Sequence, residues 1–429
     1  MKIVQPILIS KSSQVNRVGG SISRDVRVLT LIVAGLSQVV EVNLVGRLFG
    51  SDIVLLVALP FVLVSYGRAL LMPLPKSFLI FACLWFLGAV LTDAIRETPF
   101  DDLVRGWSKI IFFVINFISI YLLVGQSGSR LIVFLLSLFF GATIKLRFFP
   151  SDEVGSAIQG ADILGVAWRF GYGHAFTFLL FVLSAFSSKV VPIGVGRLIP
   201  FAAAAINLSL QARNLFGITS IASVLALLSS PSNRKRLSTS TLVLMGVGGL
   251  AACWFLLAIY GWAAAGGLLG EEARVKYEVQ SSGAYGVLLG GRTESVASTQ
   301  AIIDSPIIGH GSWARDMQYV TLRIQALREA GYEIVGNPFQ SDLIPSHSIL
   351  LGSWVEAGIL GALFWFWALW LNGRALFVIV MDRSPTLGPV AFVLLSFTWD
   401  ILFSPFGAER RFVVPAYLCT AMLAIGRRV

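Results

Sequence analysis

The chain has 429 residues, of which 56% are hydrophobic and only 13% charged, and its net charge is +10. A soluble globular protein needs about 25% charged residues to cover its surface, so this composition excludes a water-soluble enzyme or nucleic-acid-binding domain and fits lipid as the solvent. The excess of lysine and arginine is then assigned to loops beside anionic lipid heads.

The chain begins with a basic, Ser-rich lead containing Lys2, Lys11, Arg17, Arg24 and Arg27. The apolar run behind it is too long for a cleaved signal peptide, and no small-residue cleavage site follows. A bilayer core about 30 Å thick takes about 20 helical residues to cross. That ruler predicts spans near 28–47, 51–72, 77–95, 108–125, 130–145, 168–187, 194–211, 214–229, 241–261, 348–371, 388–405 and 411–426. Runs of this length without period-2 alternation are helices and not barrel strands. Cys83, Cys253 and Cys419 each lie inside an apolar run, which suits small core residues and no disulfide framework.

Orientation follows from the short loops. With the N-terminus inside, Arg68, Lys76, Arg130, Lys189, the Arg234-Lys235-Arg236 run, Arg374, Arg383 and the tail Arg427-Arg428 all fall inside. The acidic turn with Asp93, Glu97, Asp101 and Asp102 falls outside, as does the stretch 262–347. The positive-inside rule therefore gives about twelve transmembrane helices with both termini cytoplasmic. The fold class expected is an all-α polytopic integral membrane protein, with residues 1–429 forming a single membrane domain. The adjacent acids Asp101 and Asp102 read as a solvated helix start.

The stretch 262–347 carries most of the hydrophilic chemistry. It is far longer than an ordinary connection, which marks it as functional. Within it, "ARDMQYVTLRIQALREAGY" has apolar residues at helical spacing and a glycine stop, predicting an amphipathic helix on the outer membrane surface. Two of the chain's three histidines, His310 and His347, also lie there. His310 sits in a turn between Gly309 and Gly311. His347 stands where the chain re-enters the membrane, and a side chain that exchanges a proton near neutral pH could there act as a general base toward an amphiphilic substrate. The third, His174, reads as a helix-end or packing residue. Glu356, more than two helical turns beyond His347, reads as a helix–helix hydrogen-bonding residue.

Three segments carry a resemblance. "RTESVASTQAIIDSPIIGHG" and the later "SHSILLGSWVEAGILG" resemble the O-antigen ligase and polymerase superfamily of bacterial envelope enzymes. The second contains His347, Ser348, Gly358 and Gly361 at that superfamily's spacing. "QARNLFG" is similar to the family's Arg–Gly turn between two helices, with Asn214 where a glycine is common. The detailed likeness covers roughly 205–365; beyond it only the topology matches.

The resemblance implies a glycosyltransferase that moves a glycan from undecaprenyl-pyrophosphate to an acceptor hydroxyl, at the periplasmic face of the bacterial inner membrane. It implies His347 as general base, with Arg292 and Arg213 as catalytic residues that also hold the diphosphate. The chemistry suits them, because a guanidinium stays charged and bonds phosphate oxygens in pairs. Arg169 and Arg147 are further phosphate-binding candidates, and His310 a further substrate-binding one. Arg323 and Arg328 are assigned to water or lipid heads. No Asp-x-Asp occurs in the large loop, so neither metal nor cofactor is expected. The acceptor stays open between a lipid A core, which makes the enzyme a ligase, and a growing carrier-linked glycan, which makes it a polymerase. A polysaccharide-lipid flippase is the reading of a different class.

Overall fold

The computed structural model describes residues 26–44, 46–150, 163–186, 193–228, 240, 248, 255, 258–268, 270–282, 293–329, 331–332, 339, 341–383 and 386–426. It is mostly helical. In chain order the first elements are α1 (Val26–Leu36), β1 (Glu41–Leu44), β2 (Gly46–Phe49), α2 (Gly50–Tyr66), α3 (Pro73–Arg96), α4 (Phe100–Val124) and α5 (Gly128–Phe148). Then come α6 (Ile163–Ala167), a π-helical turn (Trp168–Tyr172), α7 (Gly173–Phe186), α8 (Ile193–Ser209) and α9 (Arg213–Leu227). The large loop contributes α10 (Glu271–Ser282), α11 (Glu294–Asp304) and α12 (Met317–Glu329), and the chain closes with α13 (Ile349–Asp382), α14 (Leu387–Phe403) and α15 (Arg410–Gly426). Among the described residues, six helical stretches are long and apolar enough to cross a membrane: Gly50–Leu71, Pro73–Arg96, Phe100–Val124, Gly128–Phe148, Leu164–Phe186 and Ile349–Asp382. Shorter apolar helices accompany them. The basic N-terminal lead, Cys253 and most of segment 241–261 lie outside the described residues.

The first expected span is corrected. Instead of one helix over 28–47 there is the short α1, a 3-10 turn, and an antiparallel hairpin pairing Glu41 with Phe49 and Asn43 with Arg47. The local sequence explains it. Val40, extended at ψ 123°, and Val42 favour strand backbone, and Gly46 takes φ 95°, the left-handed value a tight connection needs.

The core is aromatic and lies where α3, α4 and α13 meet. Phe78 stacks on Phe117 at 3.6 Å between centroids, and Trp85 stacks on Phe364 at 5.1 Å. Both Phe78 and Trp85 are fully buried. Offset and edge-on contacts of this kind add to simple area burial.

Helix α13 is not continuous. Ala357 and Gly358 leave helical geometry, Gly358 at φ 61° and ψ −155°, a region open essentially to glycine alone. Residues 349–356 fold back beside the helix that follows, so Trp354 meets Phe366 edge-on at 5.8 Å. The turn Gly309–His310–Gly311 closes over the break. The N–H of His310 donates to Val355 O at 2.7 Å, that of Gly311 to Glu356 O at 3.2 Å, and that of Ile359 to Ile307 O at 3.1 Å. A break in a buried helix strands main-chain polar groups, and this turn supplies their partners.

The large loop is tied to α3 and α4. Asp93 accepts from Ser312 N at 2.6 Å, Ser312 Oγ at 2.7 Å, Thr98 Oγ1 at 2.8 Å and Trp107 Nε1 at 2.8 Å. Arg96 Nε donates to Gly309 O at 2.9 Å. Asp102 is a second correction, because it is buried and takes Arg315 Nε at 2.9 Å, although it does stand in the first turn of α4. Asp102 and Asp342 together raise the pKa of Arg315 by hydrogen bonding. The amphipathic helix α12 exists and stops at Gly331, φ 82°, but its apolar face turns to protein. Tyr319 clusters with Ala297, Ala301 and Val355, and Arg323, still 36% exposed, pairs with Glu294 at 2.9 Å.

Candidate active site

His347 immediately precedes the cap of α13. Ser348 Oγ accepts from Leu351 N at 3.2 Å, the usual cap bond, and donates to Ile401 O of α14 at 3.0 Å. The imidazole itself is exposed and has no hydrogen-bond partner among the described residues. The fold-back changes its expected position. Asn372 bonds Leu394 O at 2.8 Å and Thr398 Oγ1 at 2.7 Å, which sets the register of α13 against α14. Ile401 is about one turn beyond Thr398, so Ser348 stands level with the part of α13 preceding Asn372. The eight helical residues 349–356 climb about 12 Å from there to the Gly358 turn. His347 is therefore recessed below that turn, and the chain after it runs toward the loop before descending.

Arg213 begins α9, after Gln211 takes a left-handed turn at φ 55°. Its guanidinium lies over the Tyr260 ring at 4.9 Å from the centroid. The orientation of α9 is fixed at its other end, where Arg383 Nε, just beyond α13, donates to Leu228 O at 2.7 Å. There too Gly388, in the first turn of α14, approaches Ala226 and Phe181. The far end of α9 carries Arg213 and the far end of α14 carries Ile401. Both candidate residues thus belong to the end of the bundle bearing the large loop.

Arg169 lies in the π-helical turn, a distortion frequent at functional sites. The neighbouring Trp168 donates Nε1 to Asn207 Oδ1 at 2.8 Å, and the buried Asn207 amide contacts Thr177 and Thr219 at 3.1 Å each. One asparagine so joins α7, α8 and α9. Leu215, two residues past Arg213, abuts Gly173, which brings the Arg169 turn beside the start of α9. Arg147, in the last turn of α5, lies over Phe148 at 5.6 Å.

His310 has a bracing geometry. Its Nε2 is 2.8 Å from Ala301 O, and its ring meets Tyr319 edge-on at 5.4 Å. Tyr319 in turn donates its hydroxyl to Asp304 at 2.7 Å. His174 stacks on Phe139 at 6.4 Å, as a packing residue should, and lies inside the helical stretch Leu164–Phe186 and not at its end. Glu356 pairs with Lys109 of α4 and so is a helix–helix contact, not an orienter of His347. Arg292 lies outside the described residues.

The residues missed from sequence are those whose partners are remote. Glu409, Arg410 and Arg411 are consecutive at the start of α15, and each pairs with a different element. Glu409 lies 3.8 Å from Lys145 of α5 and 3.9 Å from Arg47 of the hairpin; Arg410 pairs with Asp400 of α14; Arg411 is 2.8 Å from the buried Asp52 of α2. Two arginines in the first turn oppose the helix dipole. That local conflict was the one signal in the sequence that these side chains serve something other than helix formation. A scan against protein-family models finds no match for the chain, and a comparison with curated proteins finds no similar sequence.

Proposed function

We propose that this protein is a multi-pass glycosyltransferase of the O-antigen ligase type. In this reading it crosses the bacterial inner membrane about twelve times with both termini cytoplasmic, and its loop end faces the periplasm. It transfers a glycan from undecaprenyl-pyrophosphate to an acceptor hydroxyl, the lipid A core. The supporting observation is that Arg213 and the exposed, recessed His347 share one end of the helices packed on α14.

The reaction needs a cation for the departing diphosphate and a base for the attacking hydroxyl. His347 takes the acceptor's proton as its oxygen bonds to the anomeric carbon. The bond from that carbon to the diphosphate oxygen breaks, and undecaprenyl-pyrophosphate leaves with the electron pair. Single displacement inverts the anomeric centre. Arg213 holds the diphosphate, with Arg292 and Arg169 as further contacts, and steadies the charge as it accumulates. No step requires a metal.

The test is to incubate purified protein in lipid with carrier-linked glycan, with and without lipid A core and with and without EDTA. Product on lipid A, unaffected by EDTA, is the expected result. Lengthened carrier-linked chains would make the enzyme a polymerase. Translocated but unaltered carrier-linked glycan would make it a flippase.

A further inference from the structure

We propose that Arg410 is an additional diphosphate-binding residue, held in position by Asp400. The inference rests on the reading above and deepens it by naming a contact for the leaving group that the sequence did not suggest.

The starting point is adjacency. Ser348 Oγ reaches the carbonyl of Ile401 at 3.0 Å. His347 and Asp400 are the residues immediately before those two, so one hydrogen bond brings the chain segments bearing the candidate base and this acid together. Asp400 is nearly buried, with a side chain 9% exposed, and it pairs with Arg410. It also accepts from Ser404 Oγ at 2.9 Å. Two donors on one carboxylate hold it firmly and spread its charge.

The guanidinium differs from its partner in being reachable. The Arg410 side chain is 28% exposed, and it meets Asp400 through Nη1 alone. Nε and Nη2 have no protein acceptor among the described residues. A planar fork with one edge anchored on a buried acid and the other edge open is pre-organised for an oxyanion, because less side-chain freedom is lost when the ligand binds. Arg411 next to it contrasts sharply. Its side chain is 8% exposed, and it is consumed by Asp52 and by the Arg47 and Ala408 carbonyls. Arg411 is structural and Arg410 is available.

Depth agrees with this assignment. Asn116 Nδ2 bonds Arg411 O at 3.0 Å, and Asn116 lies beyond the midpoint of α4. The start of α15 therefore lies well below the loop end of the long helices, as His347 does. A diphosphate at that depth has its lipid tail in the bilayer and its sugar at the imidazole.

The experiment uses the full chain in nanodiscs and measures binding of undecaprenyl-pyrophosphate, with undecaprenyl monophosphate as control, together with glycan-transfer kinetics. Arg410→Gln should weaken diphosphate binding and raise the carrier KM about tenfold or more, the scale of one or two charge-assisted hydrogen bonds, with a smaller effect on the monophosphate. Arg410→Lys should fall between, and it substitutes for the glutamine variant if that one does not fold. Unchanged carrier KM and unchanged diphosphate affinity in a folded Arg410 variant, while wild type transfers glycan, would overturn the assignment and leave the enzyme reading intact. A wild-type protein that neither binds the diphosphate nor transfers glycan would remove the enzyme reading itself, and with it this contact.

Discussion

Asp93 accepts from four donors, two of them from Ser312 across more than two hundred residues of sequence. Replacing it with alanine strands the Trp107 indole N–H and the Ser312 amide in a buried site. The expected cost is about 3 kcal/mol, read as a lower melting temperature in detergent and faster proteolysis near residues 305–315. Conversely, His347→Ala should leave expression, insertion and melting unchanged, because the exposed imidazole has no hydrogen-bond partner among the described residues, while glycan transfer is lost. Normal transfer by that variant would eliminate the general base. Asp304 gives a pH dependence. Hydrogen bonds from Tyr319 and then Gln300 lower its pKa below the ordinary 3.8. Its contribution to the α11–α12 contact is thus present above that ordinary value and disappears as pH falls through the depressed folded one. Asp304→Asn should flatten acid-induced loosening of this contact, followed by hydrogen exchange in residues 317–329.

At the scale of elements, glycines discriminate between packing and propensity. Gly358 combines φ 61° with close approach of the Ile307 carbonyl, so Gly358→Ala should destabilise by about 2–4 kcal/mol through strain and overpacking. Gly373 lies in helical backbone, with nothing within 4 Å of the place an alanine methyl would occupy. There Gly373→Ala should stabilise by about 0.5–1 kcal/mol, and paired thermal melts would separate the two cases. Helix boundaries were largely legible because a sustained apolar run is a local signal: the expected 77–95 corresponds to Pro73–Arg96, 130–145 to Gly128–Phe148, and 388–405 to Leu387–Phe403. The start of α4 was misjudged by eight residues, since Asp101, Asp102 and Arg105 carry the helix beyond its apolar part. The hairpin leaves no trace in hydropathy because Val42, Leu44, Leu48 and Phe49 are equally apolar in a strand. Within the site, His347 and Arg213 stood out by residue type and turn. The Lys109–Glu356 and Asp102–Arg315 pairs did not, as each joins positions more than two hundred residues apart.

For the molecule as a whole, the two ends of the bundle differ in chemistry. Lys109, Glu356, Arg96 and Arg315 form their ties at the end carrying the loop, and Arg47, Lys145, Glu409, Arg410 and Asp400 form theirs well below it. In the orientation proposed, a single cysteine at exposed Gln318 should react with a membrane-impermeant maleimide on intact spheroplasts. One at exposed Ser129, at the opposite end, should react only after permeabilisation. The reverse pattern would invert the protein and remove the periplasmic site. The Gly309–Gly311 turn is joined to the broken α13 by main-chain hydrogen bonds, unlike the ionic strap between Arg315 and Asp102. High ionic strength reaches the half-exposed Arg315, the buried Asp102 limits that screening, and the amide–carbonyl joint is untouched. Concentrated salt should therefore slacken the lobe at that one strap, while the Asp93 bonds to Ser312 keep it seated on α3.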